Sequence, residues 1–178
     1  MSTEKHYQIE IPPDVKASLD NGTLNVSGNL GAIPRRISNP QIKVKIEDNK
    51  VIVSQNSDKR NSKIIAKTTV AHIKNMINGV KYGYTYNLKI CSSHFPISLK
   101  VDKDYVVITN FLGEKTPRKS KILPGAKVVV AGDLIDVTGF DLEKTGQTAA
   151  NIEKATNIRN RDRRVFQDGI FITKKPEN

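Results

Sequence analysis

The sequence predicts an α+β protein in which one fold unit is written twice. Residues 43–54 lie over residues 127–138 at a constant offset of 84, with Lys43 over Lys127 and Ser54 over Thr138. Both stretches read as a β-hairpin, with apolar residues at alternate positions around a polar turn. Upstream, residues 24–35 lie over residues 106–118 with one residue inserted in the second copy. Each of these is a strand, then Leu-Gly, then a proline and a basic pair: Pro34-Arg35-Arg36 and Pro117-Arg118-Lys119. Downstream, each copy closes with a helix. The same elements recurring in the same order are the mark of an internal repeat.

The first helix is set by Ala66, Val70, Ile73 and Ile77, which fall on one apolar stripe, while Lys67, Lys74 and Lys81 line another face, solvated at Lys67 and Lys74. Asn78-Gly79 is expected to end it, since Gly79 can take a left-handed cap conformation. Val80-Lys81-Tyr82-Gly83 then reads as a brief linker, and Tyr84, Tyr86, Leu88 and Ile90 alternate as the opening strand of the second domain. The expected domains are therefore residues 1–82 and 83–178. The second helix is expected over residues 146–156, where Thr148, Ala149, Ala150 and Ala155 allow close approach to the sheet.

After it comes the most distinctive segment. Arg159, Arg161, Arg163 and Arg164 fall within six residues, Phe166 follows, and Asp168-Gly169 is expected to turn the chain into a short apolar strand. Gly169 is expected to serve that backbone turn. Guanidinium groups keep their charge and present a planar donor fork that suits phosphate. A basic tail that merely aids solubility would need no ordered turn and strand behind it.

Composition narrows the partner class. The 178 residues are enough to bury a core as one domain or two small ones, and the formal net charge is +11. Such a field attracts polyanions. Residues 1–82 and 83–178 carry net charges of +6 and +5, but five of the eight arginines lie in the second half. Taking arginine as the mark of defined phosphate contact makes the second domain the recognition domain. No run approaches the ~18 apolar residues of a membrane span, and the first residues show no signal-peptide or lipidation pattern. The single cysteine, Cys91, excludes an internal disulfide framework and a zinc finger. A cytosolic, reducing compartment is expected.

Nothing in the chain carries catalysis. His6, His72 and His94 have no cysteine or carboxylate pair at metal-ligand spacing, and no phosphate-binding glycine loop or nucleophile elbow is present. No enzyme activity, cofactor, metal or small-molecule substrate is expected. Tryptophan is absent, and the Tyr and Phe residues fall at alternate strand positions where core packing explains them. That argues against a single-strand stacking platform. A rigid scaffold with basic loops suits docking on folded RNA by shape and phosphate contact. The candidate RNA-binding residues are Arg118, Lys119 and Lys121 in one loop and Arg159, Arg161, Arg163 and Arg164 in the tail.

Four segments resemble the large-subunit ribosomal protein six family in its archaeal and eukaryotic branch. They are Ser93-His94-Phe95-Pro96, Asn110-Phe111-Leu112-Gly113-Glu114-Lys115, Gln147-Thr148-Ala149-Ala150-Asn151-Ile152-Glu153 and Arg164-Val165-Phe166-Gln167-Asp168-Gly169-Ile170-Phe171-Ile172. The likeness runs from about Ile9 to Lys175 and is strongest in the second half. Gln167-Asp168-Gly169 stands where the bacterial branch has Lys-Gly-Lys-Gly. The resemblance implies two tandem duplicated α+β domains, each a small antiparallel β-sheet structure packed against one helix. It implies ribosomal RNA binding chiefly through the second domain, near the sarcin–ricin loop and the stalk base, with neighbouring large-subunit proteins as further partners. It implies no catalysis and no membrane. A free RNA-processing or RNA-chaperone factor would use the same surface.

Overall fold

The computed structural model describes residues 6–47, 49–57 and 59–176. The first five residues, on which the leader reading partly rests, and Asp48 of the first hairpin turn lie outside them. The chain divides into two compact units, residues 1–83 and 84–178.

The first unit contains β1 (His6–Glu10), β2 (Lys16–Asp20), β3 (Thr23–Gly28), β4 (Gly31–Arg36), β5 (Ile42–Glu47), β6 (Lys50–Gln55) and α1 (Arg60–Tyr82). Two antiparallel three-stranded sheets, ordered β1-β6-β5 and β2-β3-β4, both pack against α1. The second unit repeats this plan with β7 (Tyr84–Cys91), β8 (Ser98–Val101), β9 (Tyr105–Thr109), β10 (Arg118–Lys121), β11 (Ala126–Ala131), β12 (Leu134–Gly139) and α2 (Leu142–Ala155). A last strand, β13 (Gly169–Lys174), adds to the free side of β7. The sheets are β11-β12-β7-β13 and β10-β9-β8, so the second unit is the first plus one edge strand.

Burial follows the repeat. Val51 and Val53 on β6 and their counterparts Ile135 and Val137 on β12 are all 0 % exposed. So are Leu24 and Val26 on β3 and Val106 and Ile108 on β9. Each such side chain contributes roughly 1.5–3 kcal/mol by leaving water, so the duplicated strands supply the centre of both cores.

The register corrects one part of the sequence alignment. Val26 pairs with Ile33, whereas its counterpart Ile108 pairs with Arg118. Arg118 therefore occupies the place of buried Ile33, and the two proline–basic pairs are two residues out of step. The extra length lies in the connection from β9 to β10, which holds a 3-10 turn at Phe111–Gly113.

Both helix ends also differ from expectation. α1 runs through Asn78-Gly79 and is capped by Gly83, at φ 72°, whose N–H donates to the Gly79 carbonyl. The segment expected as a linker is thus mostly helix, because Val80 is fully buried and its carbonyl accepts the Leu30 N–H. Packing overrides the local stop signal. α2 starts four residues early, because the Asp141 carboxylate accepts the N–H groups of Glu143 and Lys144 as an N-cap. Its inward face is Thr145, Thr148, Ala149 and Ile152, and both threonine hydroxyls donate back to carbonyls four residues earlier.

Glycines seat both helices closely. At Gly146 an added Cβ would lie 2.8 Å from the Tyr86 hydroxyl, and at Gly28 2.9 Å from Val80 Cγ2. Among the described residues no helix is long and apolar enough to cross a membrane.

Candidate nucleic-acid interface

The arginine segment joins α2 to β13 and is held at both ends. At its start, the buried Thr156 hydroxyl donates to the Glu153 carbonyl and accepts the N–H of Ile170. The Glu153 carboxylate accepts the N–H of Ile172. Two N–H groups of β13 thus find acceptors on α2 and its C-cap rather than being left open.

At its end, Asp168 is only 2 % exposed. Its Oδ1 accepts the backbone N–H groups of Ser93 at 2.5 Å and His94 at 3.0 Å, and its Oδ2 lies 2.6 Å from His94 Nδ1. Burial alone would raise this carboxyl's pKa. The His94 N–H and imidazole and the Ser93 N–H outweigh that and hold it at about 2. His94 in turn stacks on Phe166, with ring centres 4.8 Å apart, and the Arg161 guanidinium lies 4.8 Å from the same ring centre. His94, which by its neighbours in sequence has no partner, is thus the anchor of the loop. No local signal showed this, since Asp168 approaches from the far end of the unit.

Between the anchors the arginines follow a turn, not an extended strand. The Asp162 carbonyl accepts the N–H groups of Val165 and Phe166, and its carboxylate accepts the Arg164 N–H and guanidinium. Those bonds hold the Asp162 pKa below its usual value. Gly169 opens β13 at φ 158°, a backbone conformation that residues with a side chain rarely adopt, and a Cβ there would lie 3.2 Å from the tip of the Phe171 ring.

The structure separates the seven candidates into distinct settings. Arg159 and Arg163 are exposed and have no hydrogen bond or ion pair among the described residues. Arg164 is exposed but paired with Asp162, and Arg161 rests on Phe166. Lys119 and Lys121 are exposed on β10. Arg118, at the start of the same strand, turns inward. Its Nε and one terminal nitrogen grip the Glu114 carboxylate, and the other donates to the carbonyls of Ala155 and Asn157. Its guanidinium also lies 4.4 Å from the Phe111 ring centre. Arg118 thus satisfies the carbonyl end of α2 and ties β10 to the start of the arginine loop. Glu114 is lowered in pKa by the Arg118 bonds, against a smaller rise from burial, with help from the Arg118 and Arg161 charges.

The aromatic reading also needs correction. Phe111 is core, but Phe171 is 42 % exposed, because Ile170, at 0 %, takes the inward position beside it. Phe171, Phe166 and Arg163 line a groove of about 640 Å³ beside the arginine turn. Among the described residues no cluster of three or more His, Cys, Asp or Glu could hold a metal ion.

Comparison with known proteins agrees with this architecture. The family model described as Ribosomal protein L6 matches residues 11–83 and again 95–169, one match per unit. A protein of Methanocella arvoryzae named large ribosomal subunit protein uL6 is 47 % identical over 176 residues, covering 98 % of this chain and 99 % of its own. Proteins of the same name from Methanobrevibacter smithii and Aeropyrum pernix are each 45 % identical. They cover 94 % and 93 % of this chain, and 94 % and 91 % of their own length.

Proposed function

From the premise that the chain belongs to the ribosomal protein L6 family, which is structural and not enzymatic, we propose that it is a component of the large ribosomal subunit that binds ribosomal RNA. Its place is at the ribosome in the cytoplasm, and its partners are large-subunit RNA and neighbouring ribosomal proteins. Residues 83–178 form the recognition domain and residues 1–82 the companion unit. By family likeness, the docking place is near the sarcin–ricin loop and the stalk base.

The observation that carries the RNA reading is the loop of residues 157–168. It is pinned at Thr156 and Asp168, yet it holds Arg159 and Arg163 exposed and, among the described residues, without protein partners. Ordered cations of this kind replace condensed counterions on phosphates, and the fixed frame sets their spacing. Lys119 and Lys121 add charge from β10. Arg118 acts one step back by holding the loop.

A cross-linking map of the protein on large-subunit RNA tests this directly. Cross-links from the arginine loop to one RNA region are expected, with the protein still sedimenting with the large subunit after a high-salt wash. Release into the free fraction would favour a processing or chaperone factor instead.

A further inference from the structure

We propose that the groove beside the arginine turn takes one unstacked RNA nucleotide, its base on Phe171 and its phosphate on Arg163. This rests on the RNA-binding reading above and extends it from phosphate attraction to a defined pocket.

The groove, of about 640 Å³, falls inside the roughly 300–1,000 Å³ span of small-ligand clefts. Its floor is aromatic. The tip of the Phe171 ring lies over Gly169, 3.2 Å from where a Cβ would stand, and the ring remains 42 % exposed. An exposed ring held by its tip is a stacking surface, and every base has a π-face to lay on it. Phe166 makes the opposite contribution. Its ring is already engaged by His94 and Arg161, so it braces the wall.

The polar groups suit a nucleotide. Arg163 borders the groove with its guanidinium unpaired among the described residues, and the side chains of Ser92 and Asn157 likewise have no hydrogen-bond partner there. The two carboxylates in the lining are engaged: Glu153 accepts the Ile172 N–H, and Asp168 is closed off by Ser93 and His94. One unpaired guanidinium beside an exposed aromatic ring, with both carboxylates engaged by the protein, suits an anion that carries a flat ring. A paired base within a helix cannot reach the floor, so the occupant is a nucleotide outside the stack.

The test uses the full chain and large-subunit ribosomal RNA extracted from archaeal subunits. Ser92→Trp fills the groove without replacing an arginine. It should weaken binding by at least about fivefold and restore the dimethyl sulfate reactivity of one nucleotide that the native protein protects. Because the excluded nucleotide carries its phosphate on Arg163, the slope of log affinity against log salt should become shallower by at most one phosphate contact, about 0.7–0.9. Phe171→Leu, which keeps apolar bulk and the fold, should lose the same protection. A photo-reactive amino acid at position 92 should cross-link to RNA in assembled subunits. Unchanged affinity and protection in both variants, or a cross-link to protein, would overturn the groove while leaving the RNA reading intact. Failure of the native chain to bind this RNA at all would overturn the RNA reading itself.

Discussion

The carboxylate of Asp168 and the imidazole of His94 meet at 2.6 Å although 74 positions separate them in the chain. This contact joins the start of β13 to the loop after β7. Because His94 also stacks on Phe166, it transmits the anchor to the arginine turn. The placement of the exposed guanidinium groups thus depends on a carboxylate that is itself only 2 % exposed.

That carboxylate makes stability depend on acid. Its pKa is about 2 when folded, against an ordinary 3.8, so folding favours the ionised form. The stabilisation is complete above pH 3.8 and is lost as pH falls through about 2. The difference corresponds to about 2 kcal/mol. Acid unfolding followed by circular dichroism should show Asp168→Asn less stable than the native chain at neutral pH. The gap should narrow between pH 4 and pH 2. A constant gap across that range would show that the carboxylate's charge is not what matters.

Arg118→Gln is expected to act on stability first. It removes the grip on Glu114 and leaves the carbonyls of Ala155 and Asn157 without their donor. Loss of a half-buried charged network of this type costs about 1–3 kcal/mol. Thermal unfolding of the free protein should fall accordingly, whereas Lys119→Gln should leave it unchanged. Equal melting temperatures for the two variants would return Arg118 to the class of surface cations.

The contrast between these two neighbours shows what could and could not be read from sequence. The hairpin repeat was legible because alternation of apolar residues survives duplication, and β5–β6 and β11–β12 keep the offset of 84 throughout. The proline–basic pairs misled because similar letters stood two registers apart. Only strand pairing shows Arg118 in the seat of Ile33. The true end of α1 was hidden for a related reason, since Val80 is held by tertiary packing that no local signal records. The arginine loop was legible as an ordered element, but its anchor was not. Asp168 and His94 look like turn and surface residues until the fold brings them together.

Helix seating gives a prediction for both units. A Cβ on Gly28 would press on Val80, including its carbonyl at 3.0 Å. One on Gly139 would overlap the Thr145 hydroxyl and lie 2.9 Å from the Gly125 carbonyl. Backbone atoms cannot yield as side-chain tips do, so Gly28→Ala and Gly139→Ala should each cost about 1–3 kcal/mol. Urea unfolding would measure both. Native-like midpoints would mean that α1 and α2 shift at little cost.

The exposed lysines of α1 should matter little. Lys67 and Lys74 are both exposed. Changing both to Gln should alter RNA affinity by no more than roughly 1 kcal/mol. Filter binding would show this. A loss of tenfold or more would place the RNA surface on the first unit instead.

The arginine cluster divides further. Arg159 and Arg163 have no protein partner among the described residues, so each is expected to make a full phosphate contact. Such a contact contributes about 0.7–0.9 to the slope of log affinity against log salt. Arg164 must share its guanidinium with Asp162, and Arg161 must leave Phe166, so they contribute less. The double variant Arg159→Gln/Arg163→Gln should make the slope shallower by about 1.5 units. Changing all four should add at most one unit more, with thermal unfolding nearly unchanged. An unaltered slope in the double variant would reduce the pair to solubilising charge. A fall in melting temperature confined to variants lacking Arg161 would show that its stacking on Phe166, not RNA contact, is its main role.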